Sequence, residues 1–205
     1  MYQRHILSCH PRYVPCATIH PMHITLFGGS FDPPHNGHLK VADHIIQANV
    51  ADEAWFVPCA KHPFAKHLSP TTHRIAMLKL LHAHTINLFE AESHRPSYSI
   101  DTLNHFAVTQ PQDSFSWLIG SDQLPLFPKW HHYTELLQKF KIYVYPRTGF
   151  PLNGLLPGMV GLTTMPTIDI SSTEVRARVK NNQSLHNLVP PAVTQYIQEN
   201  RLYVG

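Results

Sequence analysis

The residues best suited to do chemistry lie in two short runs near opposite ends of the patterned part of the chain. The first is GGSFDPPHNGHL, from Gly28 to Leu39. Gly28 and Gly29 let a backbone turn sharply and approach a ligand with no Cβ in the way, and Pro33 and Pro34 stiffen the rest of the loop. His35 and His38, three residues apart at the start of a helix expected from about Gly37, share one face. A helix start carries unpaired N–H groups and about half a positive charge, so it attracts anions. Two imidazoles there point to phosphate oxygens as partners. The plainer readings are a glycine turn with two surface histidines, or a zinc site, for which no third ligand is obvious nearby.

The second run is ISSTEVRARV, from Ile170 to Val179. Ser171 or Ser172 caps a helix whose first turn suits Glu174. Ser172 and Thr173 offer hydroxyls beside unpaired backbone N–H groups, and Arg176, one turn later, can return to the same anion. Alone, this is also the pattern of a capped surface helix. Paired with the histidine loop, it describes two helix starts that grip one polyphosphate from opposite sides.

These groups need a scaffold, and the hydrophobic pattern supplies one. Strands are expected at Ile24–Phe27, Ala54–Val57, Ile86–Phe89, Phe115–Ile119, Ile142–Tyr145 and Val160–Thr164. Helices are expected at Gly37–Ala48, Thr71–His82 (with Thr71 or Thr72 as cap), Ser99–Val108, Thr134–Phe140, Ser172–Val179 and Pro191–Asn200. Ile75, Leu78 and Leu81 form one helix face; Ile100, Leu103, Phe106 and Ala107 form another. Short apolar strands that do not alternate, separated by helices, imply a parallel sheet covered on both sides. The expected fold is α/β, a Rossmann-like doubly wound parallel sheet of about five or six strands. Such sheets bind ligands outside the carboxyl ends of their strands, where the histidine loop falls.

Composition narrows the function classes. The chain has 205 residues, 43% of them apolar and 14% charged, with a formal charge of +3. That balance suits one compact domain and speaks against a strongly basic nucleic-acid binder. No apolar run reaches the ~20 residues of a membrane-crossing helix, and the first residues lack the apolar core of a secretory signal. Residues 1–21 have no helical or alternating period and read as an extension ahead of a single domain spanning 22–205. Cys9, His10, Cys16 and His20 in that extension could in principle hold zinc, but C-x-x-C pairing is absent. Three cysteines cannot build a disulfide framework, so a cytoplasmic, reducing location is the expectation.

The two phosphate-directed runs resemble the H-x-G-H loop and ISSTxxR helix start of the nucleotidylyltransferase superfamily. Further segments come in matching order: PSYSIDTL (Pro96–Leu103), LIGSDQL (Leu118–Leu124), FPKW (Phe127–Trp130) and YIQENRLY (Tyr196–Tyr203). That set is similar to bacterial nicotinate-nucleotide adenylyltransferases, over roughly residues 22–204. The resemblance implies direct attack of a mononucleotide phosphate on the α-phosphorus of ATP, with pyrophosphate leaving. A substrate that brings its own nucleophile needs no Ser-His-Asp or Cys-His arrangement; it needs alignment and charge neutralisation. By this resemblance Gly28, Gly29, Ser30, Phe31, His35, His38, Ser172, Thr173 and Arg176 bind ATP, with His35, His38 and Arg176 catalytic. Mg²⁺ would accompany the nucleotide with few protein carboxylates. Trp130 matches a tryptophan stacked on the pyridine, Tyr98 and Ser99 the stretch meeting the nicotinate carboxylate, and Asp122 an acid directed at a ribose. Taken alone, these could equally be a core tryptophan, a packed tyrosine and a helix cap.

Two departures bear on substrate choice. The basic segment after the second strand reads PCAKHPFAKH, where Lys61, His62, Lys66 or His67 could clamp phosphate. The linker NNQSLHNLVPPAV lacks the glycine usual after the ISSTxxR helix. Sister adenylyltransferases acting on nicotinamide mononucleotide or phosphopantetheine, and a non-catalytic nucleotide sensor of the same fold, are the alternatives. No nucleic-acid or membrane partner is expected, and the sequence leaves the oligomeric state open.

Overall fold

A computed structural model of the chain describes residues 20–64, 67–93 and 95–204. Cys9, His10, Cys16 and Lys66, candidate ligands in the sequence, lie outside them. Five strands form one fully parallel sheet: β1 (His23–Gly29), β2 (Glu53–Pro58), β3 (Ser114–Gly120), β4 (Lys141–Tyr145) and β5 (Met159–Gly161). Their spatial order is β2-β1-β3-β4-β5. The winding direction therefore reverses between β1 and β3, the position where doubly wound sheets open a crevice for ligands.

The strands do not alternate in polarity because both faces are covered. Ile24 and Leu26 of β1, Trp55 and Val57 of β2, and Phe115, Trp117 and Ile119 of β3 pack on one side. There they meet Ile100, Leu103 and Phe106 of α3 (Ser99–Thr109) and Leu136 of α4 (Tyr133–Lys139). Phe27, Phe56 and Leu118 point the other way. They pack with α1 (Asn36–Gln47), α2 (Thr71–Lys79), α5 (Ser172–Lys180) and α6 (Pro191–Glu199) through Ile45, Met77, Val175 and Ile197. β1 to β4 thus feed two cores with successive residues.

Four expectations need correction. Ile86–Phe89 is not a strand: Ile86 makes one parallel bridge to Phe56. The chain then turns, because the Asn87 side chain accepts the Phe89 N–H at 3.0 Å, a local bond that competes with a ladder. The last strand covers Met159–Gly161 rather than Val160–Thr164, and Leu162 follows it into the core. Ala107 of α3 is exposed, and Thr102 is buried in its stead. Finally, α2 is preceded by Pro70 at its cap, with no capping side chain. The structure also adds a 3₁₀ helix over Ser121–Lys129, which carries Pro125 and Pro128.

The hydrophobic pattern of α2 gives no hint of Arg74, which is wholly buried. Its guanidinium donates to the carbonyls of Ser30 (2.7 Å), Cys59 (2.7 Å) and Ser69 (3.0 Å) and to Thr71 Oγ1 (2.9 Å). Ser30 follows β1 and Cys59 follows β2, so one cation pins together the exits of both strands. Arg74→Met keeps the stem but removes the donor from three carbonyls, that of Cys59 fully buried. It is expected to destabilise the fold by about 3 kcal/mol or more, read as a lowered midpoint in urea unfolding.

Candidate active site

A cavity of about 470 Å³ opens at the carboxyl ends of β1 and β3, within the size range of a small-ligand site. Its floor owes its depth to Gly28: a Cβ there would collide with the indole ring of Trp117 on the neighbouring strand. Beyond Gly29, Phe31 takes a left-handed backbone conformation (φ 48°). Its ring holds that turn in place by edge contacts with Phe27, His38 and Phe56 at 5.8, 4.9 and 5.4 Å.

His35 is the N-cap residue of α1 and His38 stands in its first turn. Their rings stack at 3.7 Å, and the His35 backbone N–H donates to His38 Nδ1 at 3.0 Å. An accepting Nδ1 places the proton of neutral His38 on Nε2, where it is a donor. His35 Nδ1 is buried without a hydrogen-bond partner. The tight packing explains the glycine of H-x-G-H. A Cβ on Gly37 would stand 2.9 Å from His35 Nδ1 and 2.9 Å from the Ile168 methyl.

Burial, aided by the Arg147 guanidinium, lowers His35 to about 3. Burial, His35 and Arg147 hold His38 well below the ordinary imidazole range. Both rings are therefore neutral hydrogen-bonding groups, and fixed positive charge comes from elsewhere. Arg147 follows the end of β4 and lines the cavity. It is held by Asp122 at 3.7 Å and by the Ile170 carbonyl at 2.9 Å. Lys129, at the end of the 3₁₀ helix, is a second cation in the lining, and Asp122 is the single carboxylate in the lining among the described residues. The balance favours an anion.

The start of α5 faces the same space. Ser171 caps it by accepting the Glu174 N–H at 3.1 Å, and Ser172 and Thr173 line the cavity. Ser172 Oγ donates to the Pro33 carbonyl at 2.8 Å, which joins the two helix starts directly. Arg176 stands one turn further along α5. It donates to the Asp32 carbonyl at 2.6 Å and to Thr173 Oγ1 at 3.3 Å. These two bonds tie α5 to the loop that carries the histidines.

At the other end of the cavity Tyr98 stacks on His131 at 4.2 Å, and Trp130 lies on Phe127 at 5.0 Å with its indole N–H buried and unpaired. Ser99 begins α3 there. Gly28, Gly29, Ser30, Phe31, His35, His38, Tyr98, Ser99, Asp122, Trp130, Ser172 and Thr173 thus share one cavity, as does His62. Lys61 and His67 are not in its lining; Lys61 instead pairs its backbone with Pro96. Arg147, Lys129 and His131 escape a reading of the sequence. For Arg147 the available signal is its position just beyond an expected strand end.

Fold and cavity define a nucleotidyltransferase: an anion-attracting crevice at the switch point of a parallel sheet, flanked by two helix starts. The model of the cytidylyltransferase-like family matches residues 26–178. A Methylacidiphilum infernorum protein described as "Probable nicotinate-nucleotide adenylyltransferase" is 37% identical over 187 residues, 88% of this chain and 92% of that protein. The Bacillus subtilis nicotinate-nucleotide adenylyltransferase is 34% identical over 186 residues, 88% and 97% of the two chains. This chain belongs to the nicotinate-nucleotide adenylyltransferase family. The Plasmodium falciparum nicotinic acid mononucleotide adenylyltransferase, solved with NaAD, shares the fold at a TM-score of 0.75 and 24% identity, over 88% of this chain and 97% of its own.

The histidine pair has two measurable consequences. An unfolded imidazole titrates near 6.5, whereas folded His35 titrates near 3. Between those values the unfolded chain binds more protons. Stability is thus complete above pH 6.5 and is lost as pH falls through the window, by up to about 1.4 kcal/mol per pH unit for each such imidazole. Urea unfolding at a series of pH values checks this, and His35→Asn should flatten the slope. Gly37→Ala, which pushes on the His35 ring, is expected to lower kcat about tenfold or more through misplacement alone, measured in a steady-state assay.

Proposed function

We infer that the protein transfers the adenylyl group of ATP to the phosphate of nicotinate mononucleotide, giving deamido-NAD and pyrophosphate. The observation that carries this reading is the convergence of the α1 and α5 starts on one cavity whose far end is aromatic. A phosphate oxygen of the mononucleotide attacks the α-phosphorus of ATP and forms a new P–O bond. The bond from that phosphorus to the bridging β-phosphate oxygen breaks, and its electron pair leaves with pyrophosphate. The protein's task is alignment and charge stabilisation rather than covalent chemistry.

In this reading, His38 Nε2–H and the His35 ring donate to ATP phosphate oxygens, and burial keeps both rings neutral until an anion enters. Ser172, Thr173 and the first N–H groups of α5 receive the triphosphate from the opposite side. Gly28 and Gly29 allow the nucleotide to lie against the β1 exit, and Ser30 and Phe31 shape the turn beside it. Arg147 is positioned to offset charge that develops on the phosphates. Trp130 stacks on the pyridine, Tyr98 and Ser99 meet its substituent at the start of α3, and Asp122 accepts from a ribose hydroxyl.

Mg²⁺ fits this site in one manner. Asp122 is the single carboxylate in the lining, and no group of three His, Cys, Asp or Glu side chains suits a metal among the described residues. Such a donor set suits a hard cation carried by phosphate oxygens and water rather than by a protein cage. When bound with the nucleotide, it supplies neutralisation of phosphate charge. Among the described residues, no helix is long and apolar enough to cross a membrane.

The deciding measurement is pyrophosphate release with ATP and Mg²⁺, using nicotinate and nicotinamide mononucleotides side by side. The nicotinate form is expected to give a kcat/KM about tenfold or more higher, since a polar site rejects a substituent it was not built to bind. A reversed preference would assign the sister reaction. Nucleotide binding without any turnover would assign a sensor.

A further inference from the structure

Two carboxylates are buried among the described residues, Asp32 and Glu90. Asp32 is accounted for by the histidine loop. Glu90 has no role in adenylyl transfer itself, yet it is only 4% exposed. Thr102 Oγ1 donates to Glu90 Oε1 at 2.6 Å, and the Ser97 hydroxyl is a second hydrogen-bond partner of the same carboxyl. Ser97 lines the cavity and accepts the Ala60 N–H at 3.2 Å. Its own N–H donates to the Lys61 carbonyl at 3.1 Å. Thr102 also reaches the Tyr98 carbonyl at 3.3 Å. Glu90 therefore sits directly behind the turn from Ser97 to Ser99, tied to it through two hydroxyls and to the β2 exit through Ser97.

We propose that Glu90 is a specificity-determining positioning residue: it holds the Ser97–Ser99 turn from behind, and its ionisation opposes binding of the negatively charged ring substituent of nicotinate mononucleotide. This rests on the placement of that substituent at the start of α3. A neutral carboxyl there leaves the N–H groups and the positive end of α3 to the substrate anion. An ionised one competes for the same field at close range and in a poorly screened setting.

The carboxyl titrates where this matters. Burial pushes Glu90 up to about 7, against the opposing hydrogen bonds from Thr102 and Ser97, and the nearby Asp101 raises it further. The other charged or titratable groups on the surrounding elements are His105 of α3, Glu92 and Arg95 on its own segment, and Lys61 on the segment bridged to Pro96. Binding an anion beside Glu90 favours its protonated form, so binding takes up a proton and weakens as pH rises through 7.

The test compares KM for nicotinate mononucleotide in wild type and Glu90→Gln between about pH 6 and about pH 8.5, with KM for ATP as the control. Substrate phosphate titration is common to both proteins and cancels in their ratio. The ratio of variant to wild-type KM should fall about threefold or more across that range, while the corresponding ratio for ATP stays flat. The second variant is Thr102→Val, which removes a hydrogen bond that favours the ionised form. It should move the wild-type inflection to higher pH, a shift that loss of packing alone would not produce. A flat nicotinate mononucleotide ratio, or an inflection unmoved by Thr102→Val, overturns the role of Glu90. Failure of wild type to turn over nicotinate mononucleotide at any pH would instead overturn the reaction on which the role rests.

Discussion

The site depends first on how the loop after β1 is immobilised, and Asp32 is the residue that does it. Its side chain accepts the Ser69 N–H at 3.0 Å and the Tyr203 hydroxyl at 2.7 Å. Its carbonyl accepts Arg176 at 2.6 Å. Three segments far apart in the chain meet on this one buried residue, three residues ahead of His35. Burial and the Asp32 carboxylate raise Tyr203 far above the usual phenol range, so it remains a donor. Arg74 completes the clamp through the carbonyls of Ser30 and Cys59. A loop anchored by charge-assisted bonds at so many points loses little further freedom when a ligand arrives, which is what a positioning enzyme requires.

That rigidity has an electrostatic counterpart. Stacked, buried imidazoles cannot both carry charge, and burial together with Arg147 keeps them neutral. The positive character of the cavity therefore resides in groups that cannot titrate near neutrality, Arg147 above all, and in the aligned N–H groups of the helix starts. His38, with Nδ1 accepting the His35 N–H, is left with Nε2–H as a directional donor. This division suits a reaction in which charge shifts along a phosphate chain. Donors aimed in advance lower the cost of side-chain reorganisation in reactions of that kind.

Much of this is legible in the sequence. The strand and helix pattern implies a doubly wound parallel sheet, and the five strands fall close to the expected segments. GGSFDPPHNGHL and ISSTEVRARV mark the two helix starts that share a cavity. The misreadings have local causes. At Ile86–Phe89 an asparagine side chain turns an apolar run away from the sheet after one bridge. In α3 the choice between Thr102 and Ala107 is made by a buried partner, Glu90, that no periodicity announces. Ser121–Lys129, to which the sequence pattern assigns no element, is a 3₁₀ helix that accommodates Pro125 and Pro128.

By itself the amino-acid order determined the kind of scaffold, the location of the phosphate-directed helix starts and the family, because these rest on local spacing and helix-end chemistry. Tertiary structure alone decided which charges serve the cavity. Arg176, one turn into a phosphate-directed helix, donates to the Asp32 carbonyl, while Arg147, unremarkable in sequence, lines the cavity near the imidazoles. It likewise set the protonation of His35, His38 and Glu90, because a pKa reflects the burial and neighbours that distant segments supply, and linear order does not reveal them.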